Sequence, residues 1–160
     1  MADVQGDAIA GGNELALHCD LVVASKAARF GMSLAQIGLA PNWFLAKKLL
    51  EVAGPVTTRR ILLLGDPLPA ERLYELGVIS HIAEPGELEA VAGAVIERLA
   101  DNAPLSLKAM KALIVREMAF RDRIEHADVD RLVEEVRRSE DAQEGMAARL
   151  ARRKPSFKGR

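Results

Sequence analysis

The residues best placed to do chemistry are Ala10-Gly11-Gly12-Asn13-Glu14, a glycine pair followed at once by a carboxylate. Ala2–Gln5 reads as a strand before them. Asn13–His18 is compatible with a helix after them, so the segment is a strand, a glycine turn and a helix start. The first N–H groups of a helix have no internal partner and carry the positive end of its dipole, which suits an anionic oxygen. Glycines let a ligand approach the backbone without a Cβ in the way. A glutamate beside such a point can take or give a proton. The same spacing also fits a plain tight turn, with Glu14 capping a helix that starts at a Gly11 N-cap. Nucleotide loops fail on spacing, since neither Gly-Lys-Ser/Thr nor G-x-G-x-x-G occurs.

The other reactive side chains are dispersed. His18, His81 and His126 lack acidic or thiol partners in metal-site spacing, so no metal is expected. His18 stands at i+4 from Glu14 and reads as a packed helix histidine. The lone Cys19 excludes an internal disulfide, reads as a small buried filler and fits a reducing compartment.

Short elements must position the turn. Asp20–Ser25 and Gly77–Ile82 read as buried strands, with Gly77 ending the helix before the second. Trp43–Ala53 and Val56–Leu64 read as helices separated by Gly54-Pro55. From residue 84 the pattern turns helical. Leu88–Leu99 carries a one-face repeat, and Asn102-Ala103-Pro104 breaks it and starts another helix. A charged third helix holds Ile124, Leu132, Val133 and Val136. Glu144–Arg153 forms a last amphipathic segment. The third helix fits either a solvated face laced by i,i+4 ion pairs or an arm on another subunit. The division expected is 1–83 as an α/β core and 84–160 as a helical, oligomerising region.

Composition excludes several classes. Lys+Arg at 22 against Asp+Glu at 23, a net charge of -1, argues against binding driven by nucleic-acid phosphates. Aromatics at 4% leave few stacking platforms for bases. Met1–Gln5 lacks the basic start and apolar run of a signal peptide, and no apolar run is long enough for a bilayer. A cytoplasmic protein without membrane or nucleic-acid partners is expected.

Residues Gly6 to Asp20, read as glycine, apolar residues, a glycine run, Glu-Leu and then Cys-Asp, resemble the signature of the crotonase (enoyl-CoA hydratase/isomerase) superfamily. Ala28-Arg29-Phe30-Gly31, Gly38-Leu39-Ala40-Pro41, Leu63-Leu64-Gly65 to Ala70, Leu76-Gly77-Val78-Ile79 and Glu144-Gly145-Met146 resemble further family motifs in the same order. The resemblance covers essentially the whole chain. It implies an α/β fold, a partial crotonase-like ββα spiral followed by a C-terminal helical region. It also implies an acyl-CoA substrate, no cofactor beyond the CoA of that substrate, and a homotrimer or hexamer.

Residue by residue, the resemblance makes the Gly11 N–H an oxyanion donor to the thioester carbonyl and Glu14 the acid/base. Gly12 lines the pocket. The other family donor belongs to a "SAGAD"-like loop that does not occur in this sequence. Met1 stands where the family has a mid-domain strand, so an N-terminally shortened chain or a fragment is expected. The second family glutamate maps onto Leu34, which cannot transfer protons. That argues against a simple isomerase and weakens a two-glutamate hydratase. Gln36 and Asn42 are the nearby polar candidates, alongside the reading of both as ordinary loop side chains. Asn42-Trp43-Phe44-Leu45 replaces a small, glycine-rich family segment, so its bulky groups narrow or reshape the acyl pocket, or Trp43 is core or subunit interface. Arg149 and Arg152 fall where the family contacts the CoA nucleotide of a neighbouring subunit, or where a solvated basic tail would lie. An inactive or binding-only chain, and a single-carboxylate hydrolase or decarboxylase, stand as alternatives.

Overall fold

A computed structural model describes residues 1–160. Two small sheets lie under short helices. The first is parallel throughout and joins β1 (Ala2–Val4), β3 (Val22–Ser25) and β6 (His81–Ala83) in the order β1-β3-β6. In the second, β2 (Ala8–Ile9) pairs parallel with β4 (Arg29–Gly31), and β4 pairs antiparallel with β5 (Leu68–Pro69). All four residues of β3 are buried, as expected of a central strand in a parallel sheet, with both faces covered.

The helices are α1 (Gly11–Leu17), α2 (Trp43–Arg59), α3 (Ala70–Glu75), α4 (Leu88–Ala100), α5 (Pro104–Met118), α6 (Ala127–Arg138) and α7 (Glu140–Leu150). Gly54 interrupts α2 with φ 67° and ψ 170°, and the helix resumes at Pro55. Its continuation, Arg60–Leu64, widens into a π turn that Gly65 ends at φ 75°. Gly77, with φ 71°, closes α3. Its N–H donates to Tyr74 C=O (2.9 Å) and the Val78 N–H to Leu73 C=O (2.8 Å), the paired bonds of a glycine C-cap.

Phe30, Met32, Leu49, Ile61, Leu68 and Leu73 are fully buried and form the centre of one core. Each such side chain contributes about 1.5–3 kcal/mol by burial. Two of the later helices fold back onto the first half: α4 packs on β1, β3 and β6, and α7 packs on the 3₁₀ turn Ala35–Ile37, whereas α5 and α6 bury no residue.

The last helix begins earlier than its sequence pattern predicts. Ser139 is its N-cap, accepting from the Ala142 N–H at 3.0 Å, so the helix starts at Glu140 rather than Glu144. Helix α6 buries no residue and carries the Glu134–Arg138 pair at 2.8 Å. No helix is long and apolar enough to cross a membrane.

Candidate active site

Strand β2 delivers the chain to Ala10, whose φ of 53° and ψ of -118° lie outside the regions an L-residue favours. Holding a non-glycine residue there costs on the order of 1–3 kcal/mol. Two bonds fix it: the Ala10 N–H donates to Gly31 C=O at 2.9 Å, and Ala10 C=O accepts the Glu14 N–H at 3.0 Å. Ala10, not Gly11, is thus the N-cap of α1, and no side chain caps it. The N–H groups of Gly11, Gly12 and Asn13 precede the first intrahelical bond.

Gly11 and Gly12 are exposed. A Cβ on Gly11 would meet nothing within 4 Å, and one on Gly12 only the Ala8 Cβ at 3.9 Å. Neither glycine is dictated by internal packing or by a positive φ, so bare backbone faces open space here.

Glu14 is half-buried, and its carboxylate is in none of the ion pairs or hydrogen bonds of the structure. His18 is exposed rather than packed, and its Nδ1 donates to the Glu14 carbonyl at 2.8 Å. Cys19 is half-buried against the core. Asn13 is 1% exposed, and both its amide atoms lack a hydrogen-bond partner.

The loop after β4 holds the remaining candidates. Leu34 packs against the core, and its carbonyl accepts from the Ile37 and Leu39 N–H groups, both at 3.0 Å. Gln36 spends its amide nitrogen on Leu64 C=O (3.0 Å) and Asp66 Oδ1 (3.1 Å), tying the 3₁₀ turn to the end of the π turn. Asn42 is the N-cap of α2, its Oδ1 accepting from the Leu45 N–H at 2.8 Å. Trp43 stacks on His126 with ring centroids 4.4 Å apart and planes 7° apart, while Phe44 is exposed.

From the other end of the chain, Arg149 Nη1 donates to Ser33 Oγ at 3.3 Å. Ser33 is two residues past Gly31, the residue that holds Ala10, so α7 and the glycine turn are joined through one short segment. Arg152 is exposed with φ 52°. Arg153 makes a two-pronged pair with Glu144 at 2.5 and 2.7 Å. That guanidinium, helped by the Ser156 N–H, lowers the Glu144 carboxyl to about 2.

Two glycines explain why α7 sits against this loop. A Cβ at Gly145 would come within 2.3 Å of the Ile37 carbonyl, and one at Gly38 within 2.5 Å of the Asp141 carbonyl oxygen. Helix and turn touch backbone to backbone, which the motif residues Gly38 and Gly145 permit. Ser33 lies outside every motif of the sequence, and the motif that holds Ala10 and Asn13 shows neither the strain of the first nor the burial of the second. Ala10 and Ser33 carry no local signal of their roles, since an alanine at positive φ is against type.

A strand, a strained turn with uncapped N–H groups and an unpaired glutamate one helical turn on thus lie together. The sequence model of the enoyl-CoA hydratase/isomerase family matches residues 1–160, and the chain belongs to that family. It is 32% identical over 161 residues to (E)-benzylidenesuccinyl-CoA hydratase of Thauera aromatica, covering 99% of this chain and 62% of that protein. It is 30% identical to 2,3-dehydroadipyl-CoA hydratase of Escherichia coli K12, covering 100% of this chain and 63% of that protein. Among solved structures, methylmalonyl-CoA decarboxylase superposes with a TM-score of 0.87 at 26% identity, over 99% of this chain and 62% of that one. Carnitinyl-CoA hydratase from Mycobacterium avium gives 0.87 at 31% identity, over 98% and 61%. The chain thus spans less than two thirds of the length of the relatives it matches.

Proposed function

We propose that this chain carries part of an acyl-CoA thioester site working through an enolate-like oxyanion. The observation that carries the reading is the Ala10–Gly11 turn, with uncapped N–H groups in open space beside the unpaired Glu14. The Gly11 N–H donates to the thioester oxygen as negative charge gathers there. A preorganised donor of this kind supplies about 3 kcal/mol of transition-state stabilisation. Glu14 moves the proton at the acyl carbons, taking it from water when an enoyl-CoA is hydrated. Gly12, Leu34, Gln36, Asn42 and Trp43 border the substrate. Arg149 and Arg152 offer cationic groups to the CoA nucleotide. The assembly is a cytoplasmic homotrimer or hexamer, and no cofactor is needed beyond the CoA of the substrate.

The test is turnover over a thioester panel that includes crotonyl-CoA and methylmalonyl-CoA, with product analysis. Glu14→Gln is expected to lower turnover by about 10²–10⁴-fold and leave the Kd for the CoA ester unchanged. Full activity in that variant would remove Glu14 from the chemistry.

Leu34 favours a second reading, in which one carboxylate suffices. Loss of CO₂ leaves its electron pair on the thioester enolate, so the oxyanion donors carry the difficult step and a single acid protonates the α-carbon. The likeness to methylmalonyl-CoA decarboxylase supports this reading, and release of CO₂ without hydration in the same panel would select it. Binding without turnover would select a CoA-ester-binding chain.

A further inference from the structure

The strained Ala10 hangs on β4 through Gly31, and β4 is firmly set. The Ala70 N–H donates to Ala28 C=O at 2.9 Å, and Phe30 is fully buried. A Cβ at Gly31 would stand only 3.1 Å from the Pro67 Cα, so this strand is packed backbone against backbone. Strand β2 is the weaker side of the pair. It has 2 residues, with Ala8 opposite Phe30 and Ile9 opposite Gly31. Gln5, Gly6 and Asp7 carry the chain to it from the first sheet, and all three are exposed.

One side-chain contact joins the two strands where their pairing starts. Arg29 Nε donates to Asp7 Oδ1 at 3.0 Å, and Arg29 Nη2 donates to Asp7 Oδ2 at 2.5 Å. Asp7 precedes Ala8 as Arg29 precedes Phe30, so the fork continues the register by one step. Two parallel bonds between planar groups fix distance and angle together, which a lysine cannot do. The guanidinium bonds hold the Asp7 carboxyl below its ordinary range. The side chains are 40% and 58% exposed, and exposed pairs do little for global stability. The effect of this pair is therefore local. It sets the register of a very short strand that ends in a strained residue.

We propose that Asp7 and Arg29 are positioning residues for the Ala10–Gly11 turn. Their fork closes the start of the β2–β4 ladder, and the Ala10–Gly31 bond closes its end. Strain at Ala10 favours a relaxed backbone, and fraying of β2 from the Asp7 end would let the turn relax. Held at both ends, the Gly11 N–H keeps its aim. That last step rests on the donor role proposed for Gly11. The hold of the fork on Ala10 does not.

The test uses Asp7→Asn, which removes the charge, Arg29→Lys, which keeps the charge and loses the fork, and the double variant. Amide exchange at Ala10 is expected to quicken about tenfold in each single variant, with exchange at the buried Val23 and the thermal transition unchanged. The double variant should exchange no faster than either single one, because both remove the same contact. The second readout is the ratio of affinities for an acyl-CoA nitronate, an anionic enolate mimic, and the matching saturated acyl-CoA. That ratio is expected to fall about tenfold in each variant while the Kd for the neutral ester holds; a general loosening of the fold would weaken both ligands alike. Unchanged exchange at Ala10, additive effects in the double variant, or equal quickening at Val23 would overturn the proposal. Faster exchange at Ala10 with an unmoved ratio would overturn the positioning of the donor. If the unaltered protein shows no preference for the nitronate, the donor role of Gly11 fails, and exchange at Ala10 still decides whether the fork holds the turn.

Discussion

Gly145→Ala puts the seating of α7 to a direct test. The added Cβ would stand 2.3 Å from the Ile37 backbone, against an ordinary contact of 3.4–4 Å, so helix and turn must part by about 1 Å. The obstacle is backbone, which cannot swing away as a side chain can. Overpacking of this kind costs about 1–3 kcal/mol, and the upper end applies to a rigid neighbour. Alanine returns about 1 kcal/mol through helix propensity. The net loss is about 2 kcal/mol, or a fall of about 4–8 °C in Tm for a chain of this size. Gly93→Ala in α4 is the control, because a Cβ there meets nothing within 4 Å; it should gain about 0.5–1 kcal/mol. Urea titration of both variants measures the difference, and amide exchange over α7 locates it. If Gly145→Ala proves neutral, or stabilises as Gly93→Ala does, the backbone contact between α7 and the 3₁₀ turn is wrong.

Three further outcomes follow from the geometry. Ala10→Gly removes a side chain from a positive-φ position and should stabilise by about 1 kcal/mol, read by thermal melting; destabilisation would mean that Ala10 is not strained. The Glu144 carboxyl is held at about 2, below its ordinary 4.5, so its contribution to stability is complete above pH 4.5 and fades as pH falls toward 2. Tail amides at Ser156 should lose protection over that window, and Glu144→Gln should release them at neutral pH. Trp43 is the only tryptophan and stacks on His126, so His126→Ala should shift its emission to the red; an unchanged spectrum would dissolve the stack.

Much of the fold is legible because its signals are local. Gly77 needs only its own positive φ and the two bonds beside it, and Gly54-Pro55 marks a break that any helix would suffer there. The β-branched run through Val22 and Val23 declares a buried strand wherever it lands. The π turn at Arg60–Leu64 leaves no comparable trace, since its residues are ordinary helix formers and only Gly65 marks the end. The early start of α7 had a readable signal that periodicity alone passes over: Ser139 followed by Glu140 and Asp141, an N-cap with acidic residues in the first turn.

The site divides along the same line. Gly11 and Glu14 are singled out by resemblance alone, and Asn42, read as a polar candidate or a loop side chain, is the N-cap of α2. Gln36 could not be assigned from its neighbourhood, because its partners Leu64 and Asp66 lie 28 and 30 positions away. The pairing of Arg149 with Ser33 spans 116 positions and depends on α7 being seated by Gly38 and Gly145. These long-range contacts share one anchor, the segment from Gly31 to Gly38, which holds Ala10 at one end and α7 at the other. A change in that segment should reach the Ala10–Gly11 turn and the C-terminal helix together. Leu34 lies at its centre and packs against the core, which ties this residue to the element that holds both the Ala10 turn and α7.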